Sequence, residues 1–369
     1  MRQAFLLAPP PWNTSFNQSA TVASPPNIDA LFPGVAQAAP ITPLSAKGFY
    51  TFDRTPYVQQ WNLDVQRQLG AHWVFDLGYL GSKGNHINER TTPCIGDLVT
   101  PGVSSSIVFQ YPNFSDCVIN NTLSKTSYNA LTARAEKRFS NGFSFQGNYT
   151  WSKTMSIGSA TETFAQNYWD RNADWGPAIY NVPQRVVFSG IYELPFGPGR
   201  RFGSSVSGAA GKLIGGWQVN GLYQIQAGYP YDVAALDNSG TKALRNAMRA
   251  NLVGNPYAGI PSGCRPTTAS CRALNPSAFV QPPIYTFGTS SYDNLRGKGL
   301  NNLDFSLFKN THIEERYNVQ FRAEAFNLWN HTQLGPFPGS SITNQAALGV
   351  YSTLHHAPRV VQLALKIAF

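Results

Sequence analysis

The chain has 369 residues, 42% of them hydrophobic and only 13% charged, with a formal net charge of +9. Soluble domains carry about 25% charged residues, so this balance, with a mean hydropathy of -0.23, implies apolar residues on one face and uncharged polar ones on the other. No run of about 18 apolar residues exists, which excludes a transmembrane helix; the basic residues are scattered, which favours a surface suited to anionic lipid headgroups or lipopolysaccharide over one for nucleic acid.

After Met1 and Arg2 comes "AFLLA" and then three prolines. This is shorter than the apolar core of roughly 7–15 residues that a secretion signal needs. The expectation is either a cytosolic protein or a piece of a longer one, with residues 1–47 irregular and 48–369 forming one structural unit. From there the pattern is period two, with almost no helix.

"WNLDVQRQL" sets Trp61, Leu63 and Val65 against Asn62, Asp64 and Gln66, and "WVFDLGYLG" repeats this with Trp73, Phe75, Leu77 and Tyr79. "NALTARAEKRF", "FSFQGNYTWSK", "RVVFSGIYEL", "GWQVNGLYQIQAG", "LDFSLF" and "YNVQFRAEAFNLWN" continue it. The last strand, "RVVQLALKIAF", carries Val361, Leu363, Leu365, Ile367 and Phe369 on one face and Gln362, Ala364, Lys366 and Ala368 on the other. That makes about nine strands, with a less certain one near residues 48–52.

Alternation alone does not choose between a soluble sandwich and a membrane barrel. Three features favour the barrel. Strands near ten residues match a tilted bilayer crossing. Trp61, Trp73, Tyr79, Tyr149, Trp151, Tyr192 and Trp217 stand near strand ends on the apolar face, as interfacial girdles do. Finally, connections alternate between short (near 69–72, 140–142 and 314–316, with a moderate Gly/Ser-rich link near 197–215) and long (near 83–127, 154–183, 230–301 and 331–357). With Phe369 in the periplasm, every short turn falls there and every long loop outside. The fold class expected is all-β, an antiparallel transmembrane β-barrel.

Candidate sites are few. Cys94 with Cys117 and Cys264 with Cys271 read as two loop disulfides and an oxidising compartment; zinc is the competing reading, but neither pair has CxxC spacing. "DRNADWG" places Asp170, Asn172 and Asp174 at the spacing of a calcium loop. Yet Gly176 comes one place late and Asn181 stands where a bidentate Glu is needed, so a turn explains the stretch better. Arg134, Glu136, Arg138, Arg322 and Glu324 share polar strand faces and should point to a lumen, since charge facing lipid is costly. His355 and His356 are expected on opposite sides of a strand, and His331 in a loop. "AGYPYDV" and "NPSAFVQPPIYTFG" in the longest loop suit either stacking on a ligand or packing as a lid. No catalytic arrangement and no cofactor site emerge.

Six ordered segments resemble the Oar-like group of TonB-dependent outer-membrane transporters: "RTPYVQQWNLDVQRQLG", "GYLGSKGNH", "NYTWSKTM", "RNADWGPAIYNVPQRVVFSGIYELPFG", "LRGKGLNNLDFSLFKN" and "FRAEAFNLWNH". They run from about residue 48 to the end, in the order of that family's C-terminal barrel portion. The resemblance implies energy-coupled uptake through a barrel of about 22 strands closed by a plug, of which this chain supplies roughly half. It also implies a terminal insertion signal ending in Phe369, read by the barrel assembly machinery, and contact with TonB through a plug not visible here. The alternatives are a passive porin-like or structural outer-membrane protein, and a secreted carbohydrate-binding β-sandwich.

Overall fold

A computed structural model of the chain describes residues 44–49, 54–112, 114–157, 165–243, 248–313 and 317–368. Nine long strands form one antiparallel sheet: β1 (Tyr57–Leu69), β2 (Trp73–Thr91), β3 (Phe114–Ser140), β4 (Phe143–Ile157), β5 (Gln184–Glu193), β6 (Trp217–Gln226), β7 (Leu300–Ile313), β8 (Tyr317–Phe326) and β9 (Val360–Ala368). Each pairs with its neighbour in sequence, so the sheet is a meander with β1 and β9 as its edges among the described residues. Among the described residues it does not close on itself, and their one α-helix, α1 (Gly208–Ile214), lies in the link between β5 and β6. No helix among the described residues is long and apolar enough to cross a membrane, which says nothing about crossing by strands.

Most of the expected irregular segment 1–47 lies outside the described residues, as does Phe369. The strand Leu44–Phe49 straddles the expected boundary at 47/48 and pairs in parallel with the outer part of β3. Two expected long loops, 83–127 and 154–183, are partly strand. β2 runs on to Thr91, β3 starts at Phe114 and β4 reaches Ile157, with Trp175–Pro177 added beside it. In "GSKGNHINERT" the strand has passed beyond the apolar band, so alternation fades and it leaves no periodic trace.

Register carries one face across all nine strands. Leu63 pairs with Tyr79, Tyr79 with Leu131 and Leu131 with Trp151. Gly147 meets Phe188, which meets Tyr223, which meets Leu303. Phe305, Ala325 and Val361 follow in line. On this face Leu63, Val65, Leu77, Trp151, Leu363 and Leu365 are each more than half exposed. Among the described residues no second sheet covers it. The sandwich therefore has no counterpart here, and the row needs an apolar solvent.

Aromatic rings reinforce the row. Phe145 stacks on Phe188 at 5.9 Å and Phe188 on Tyr223 at 6.4 Å, and Tyr223 meets Trp329 edge-on at 5.5 Å. Gly147 lies under the Phe145 and Phe188 rings, where a Cβ would collide with both. Glycine is thus required for the rings to lie flat on the sheet.

Three cations interrupt the apolar row at the periplasmic end: Arg67, level with Phe75 and exposed, Lys137 and Lys309. Lys137 turns its ammonium onto Ser140 O, Ser140 Oγ and Phe143 O, each within about 3 Å. Lys309, only 8% exposed, donates to Lys212 O and Gly215 O at the C-terminal end of α1. The carbonyls left open by that helix end are thereby satisfied by a cation, as the helix dipole favours. These charges sit at the water's edge instead of in the hydrocarbon.

A lipid-phase quencher should reach fluorophores placed at Leu365, Phe305 and Tyr223 in the assembled outer-membrane protein, and miss Ser306 and Gln146. Phe305→Arg should cost about 2–4 kcal/mol in denaturant titrations in bilayers; a loss below 0.5 kcal/mol, roughly that of an ordinary surface change, would exclude lipid from this face.

Candidate functional site

The opposite face is polar. Gln66, Asp76, Arg134, Asn148, Val187, Gln224 and Asn302 follow one another by the same ladder, with Asp64 one level away on the same face. Arg134 Nη2 donates to Glu136 Oε2, and Arg322 Nε to Gln320 Oε1, both at 2.5 Å. The Arg322 guanidinium also lies 4.9 Å over the Phe308 ring. Glu324 stands between Ser306 and Gln362 in the register. Glu136 and Arg138 join Ser144, Gln146, Ser189, Asn220 and Asp304 around an open concavity of about 720 Å³. Arg134, Glu136, Arg322 and Glu324 thus all stand on the face away from the apolar row.

At the outer end a loop head rises from the strands, and it holds the chain's hydrophobic core. Tyr231, Val233, Met248, Ala250, Leu274, Phe279, Leu295, Ile342 and Leu348 form one buried cluster. Tyr231 and Phe279 come from the two aromatic loop stretches, and both rings pack inward into this cluster. Disulfides staple the head. Cys94 joins Cys117 and Cys264 joins Cys271, with Cα separations of 5.6 and 5.8 Å. Cys117 lies on β3, not in a loop. Closing the larger loop stabilises the head by about 3 kcal/mol on chain-entropy grounds.

Asp174 is buried and accepts from Arg249 Nη1 and from the backbone N of Gln166 at 3.0 Å. Arg249 also donates through Nε to Ser290 O at 2.8 Å, and its backbone N to Gln166 Oε1 at 2.9 Å. Asn172 takes a donor from Lys125 Nζ at 3.2 Å, and Asp170 is exposed. The calcium-like spacing therefore delivers its oxygens to protein cations. Among the described residues no three His, Cys, Asp or Glu side chains converge as a metal site. His355 and His356 lie in a bend, not a strand, with ring centroids 4.7 Å apart; His331 is in a loop tied to Asn327 by paired hydrogen bonds.

Sequence reading missed Arg249, Asp232 and Asp293. Burial pushes the Asp293 carboxyl up to about 8, and the Asp232 carboxylate adds to this while Arg249 and Arg296 pull it back. Asp232 is raised as well, again mainly by burial. Glu89, paired with Arg171, is pushed up to about 7 by burial in spite of that pairing. All of them brace the head; the partners lie too far apart in sequence for any local signal.

A sheet with one lipid-ready face, one polar face and an ordered outer head defines a wall of a membrane β-barrel. The chain belongs to the family described as "Outer membrane beta barrel domain", whose model matches residues 2–362. It is a protein of the bacterial outer membrane. No curated protein sequence matches it. Among solved structures it is similar to the outer membrane transporter YddB from Escherichia coli, at 10% identity and a TM-score of 0.43, over 88% of this chain and 34% of that one. It is similar also to the FrpB iron transporter from Neisseria meningitidis, at 9% identity and 0.40, over 87% and 32%. A third is the ferripyoverdine receptor of the outer membrane of Pseudomonas aeruginosa, at 10% and 0.40, over 84% and 27%. The chain spans about a third of the length of these structures.

Arg249→Leu leaves Asp174 buried without its cation and should cost the head about 3–5 kcal/mol, read as protease cleavage within 227–300 while the strands stay protected. Asp293 keeps its proton in the folded head where the unfolded chain has lost it. Its contribution is therefore full below about pH 4 and drains away as the pH rises towards 8. Protection of head amides, after dividing out the intrinsic rise of exchange with pH, should fall from pH 5 to 8, and Asp293→Asn, which tolerates the φ of 47° found there, should flatten that fall.

Proposed function

We propose that this chain forms part of the barrel wall and the outer loops of a TonB-dependent, Oar-like transporter that takes a substrate across the outer membrane by energy-coupled uptake. The observation that carries this reading is the loop head: a packed, disulfide-stapled core standing at the outer end of a polar sheet face. A ligand met at that head would pass along the face bearing Arg134, Glu136, Arg322 and Glu324. Six sequence segments in family order support the same assignment. The plug and the TonB contact would come from polypeptide beyond the described sheet, and the terminal strand Val361–Ile367 would present the insertion signal to the assembly machinery.

The open edges at β1 and β9 have a direct consequence. Hydrocarbon offers their N–H and C=O groups no partners, so further strands must meet them in the membrane. The 369 residues produced alone should give no heat-modifiable, protease-resistant species; a compact one would overturn the partial-barrel reading. For transport, a photo-crosslinker in the TonB C-terminal domain should capture the protein in cells, and the purified protein should show no steady conductance in planar bilayers. Open-channel conductance without TonB capture is the porin result and would rule the transporter out.

A further inference from the structure

On the lipid-facing side the outer rim carries more than an aromatic girdle. Tyr79, Leu131 and Trp151 lie on one level of the ladder across β2, β3 and β4, and the Trp61 indole covers Gly81 beside them. One level further out the register reads Gly81, Asn129, Lys153, and the next reads Lys83, Ser127, Met155. Lys83 and Lys153 are both exposed, while the alternate residues Ser152, Thr154 and Ser156 are buried on the other face. The lysines therefore point outward, just above the apolar band.

Here the sheet and the head enclose a groove of about 460 Å³, lined by Tyr79, Leu131, Trp151, Lys153, Pro183 and Arg296 among others. Its floor is apolar and its upper wall is basic. The Tyr79 hydroxyl is turned up to Asn129 Oδ1 at 2.8 Å, which leaves the ring flank to the groove. Strand spacing puts the Cα atoms of Lys83 and Lys153 roughly 12 Å apart. A third cation, Lys125, stands on the same strand face with its ammonium 5.0 Å over the Trp175 ring.

We propose that this groove is a binding site for one phosphorylated, multiply acylated glycolipid of the outer leaflet. An acyl chain lies along Tyr79, Leu131 and Trp151, and phosphate groups are held by Lys153 in the groove and by Lys83 one ladder level above its lining; Arg296 at the inner wall is engaged by Asn181 O and Gly228 O. The charge complementarity and the height of the cations at the edge of the hydrocarbon select this occupant: a soluble anion has no use for the apolar floor, and an uncharged lipid none for the lysines. The site rests on the outward face meeting lipid and is independent of how, or whether, transport is energised.

The test uses the protein as cells make it, extracted in mild detergent and returned to nanodiscs containing either lipid A or phosphatidylglycerol. Native mass spectrometry should show a lipid A adduct that falls at least tenfold in a Lys83→Glu, Lys153→Glu double variant. It should stay unchanged in Lys212→Glu at the periplasmic side, and recover in Lys83→Arg, Lys153→Arg. Heat-modifiable migration confirms that each variant is folded. Trp151→Ala should weaken the adduct while leaving inorganic phosphate without effect. Unchanged lipid A binding in the folded double variant would overturn the proposal. So would an equal loss for phosphatidylglycerol, which would mean a general charge effect, or displacement by inorganic phosphate. A failure of TonB crosslinking leaves these outcomes untouched, so the two readings fail separately.

Discussion

Hydrocarbon cannot hydrogen-bond, and that single deficiency shapes the chain. Every N–H and C=O in the spanning region must find a partner on the neighbouring strand, so the nine strands can only follow one another in an unbroken ladder. Because side chains alternate with period two, the ladder also fixes which residues meet lipid. A slip of one place between β4 and β5 would carry Phe188 and Tyr192 to the polar side and Val187 and Ser189 to the lipid. Matching of apolar rows across every pair from β1 to β9 holds the register in place.

Outside the membrane the constraint changes, and so does the construction. Water can serve the loop backbones, but nothing there enforces a row, so the head is built as an ordinary small domain. It has a buried apolar cluster, two disulfides and a buried ion pair. Arg249 and Asp174 are 75 residues apart in sequence, and a buried pair of this kind adds little net stability while making its own disruption costly. Such a pair fixes one arrangement of the loops. This division of labour leaves the greasy surface in the strands and the protein-like core in the loops, the reverse of a soluble β-protein.

Legibility of the sequence follows the same boundary. All nine strands could be read, since lipid on one face imposes the alternation that betrays them. Arg134, Glu136, Arg322 and Glu324 were legible by parity alone. The extensions 82–91 and 114–126 were not, because strand pairing continues there after the apolar row has ended. Asp170, Asn172 and Asp174 show the limit most clearly: their spacing looks like a local cation loop, while the cation that occupies Asp174 comes from Arg249. Lys137 and Lys309 were also invisible, since their partners are turn and helix-end carbonyls that only the folded chain brings near.

Those two lysines mark one waterline, and Lys153 marks the other, with Lys125 four residues further out on β3 than the level of Lys153. From Lys137 to Asn129, which pairs with Lys153, is roughly 26 Å of strand, or roughly 20 Å across the bilayer at a tilt near 40°. That is close to the roughly 25 Å height of a barrel's apolar band. The ammonium groups at either rim act as draught marks on a hull: sinking or rising by one residue pair would drag a cation into oil on one side. The depth at which the wall floats is therefore set by the cations at its two rims, and a membrane several ångströms thicker would have to thin around it or tilt it.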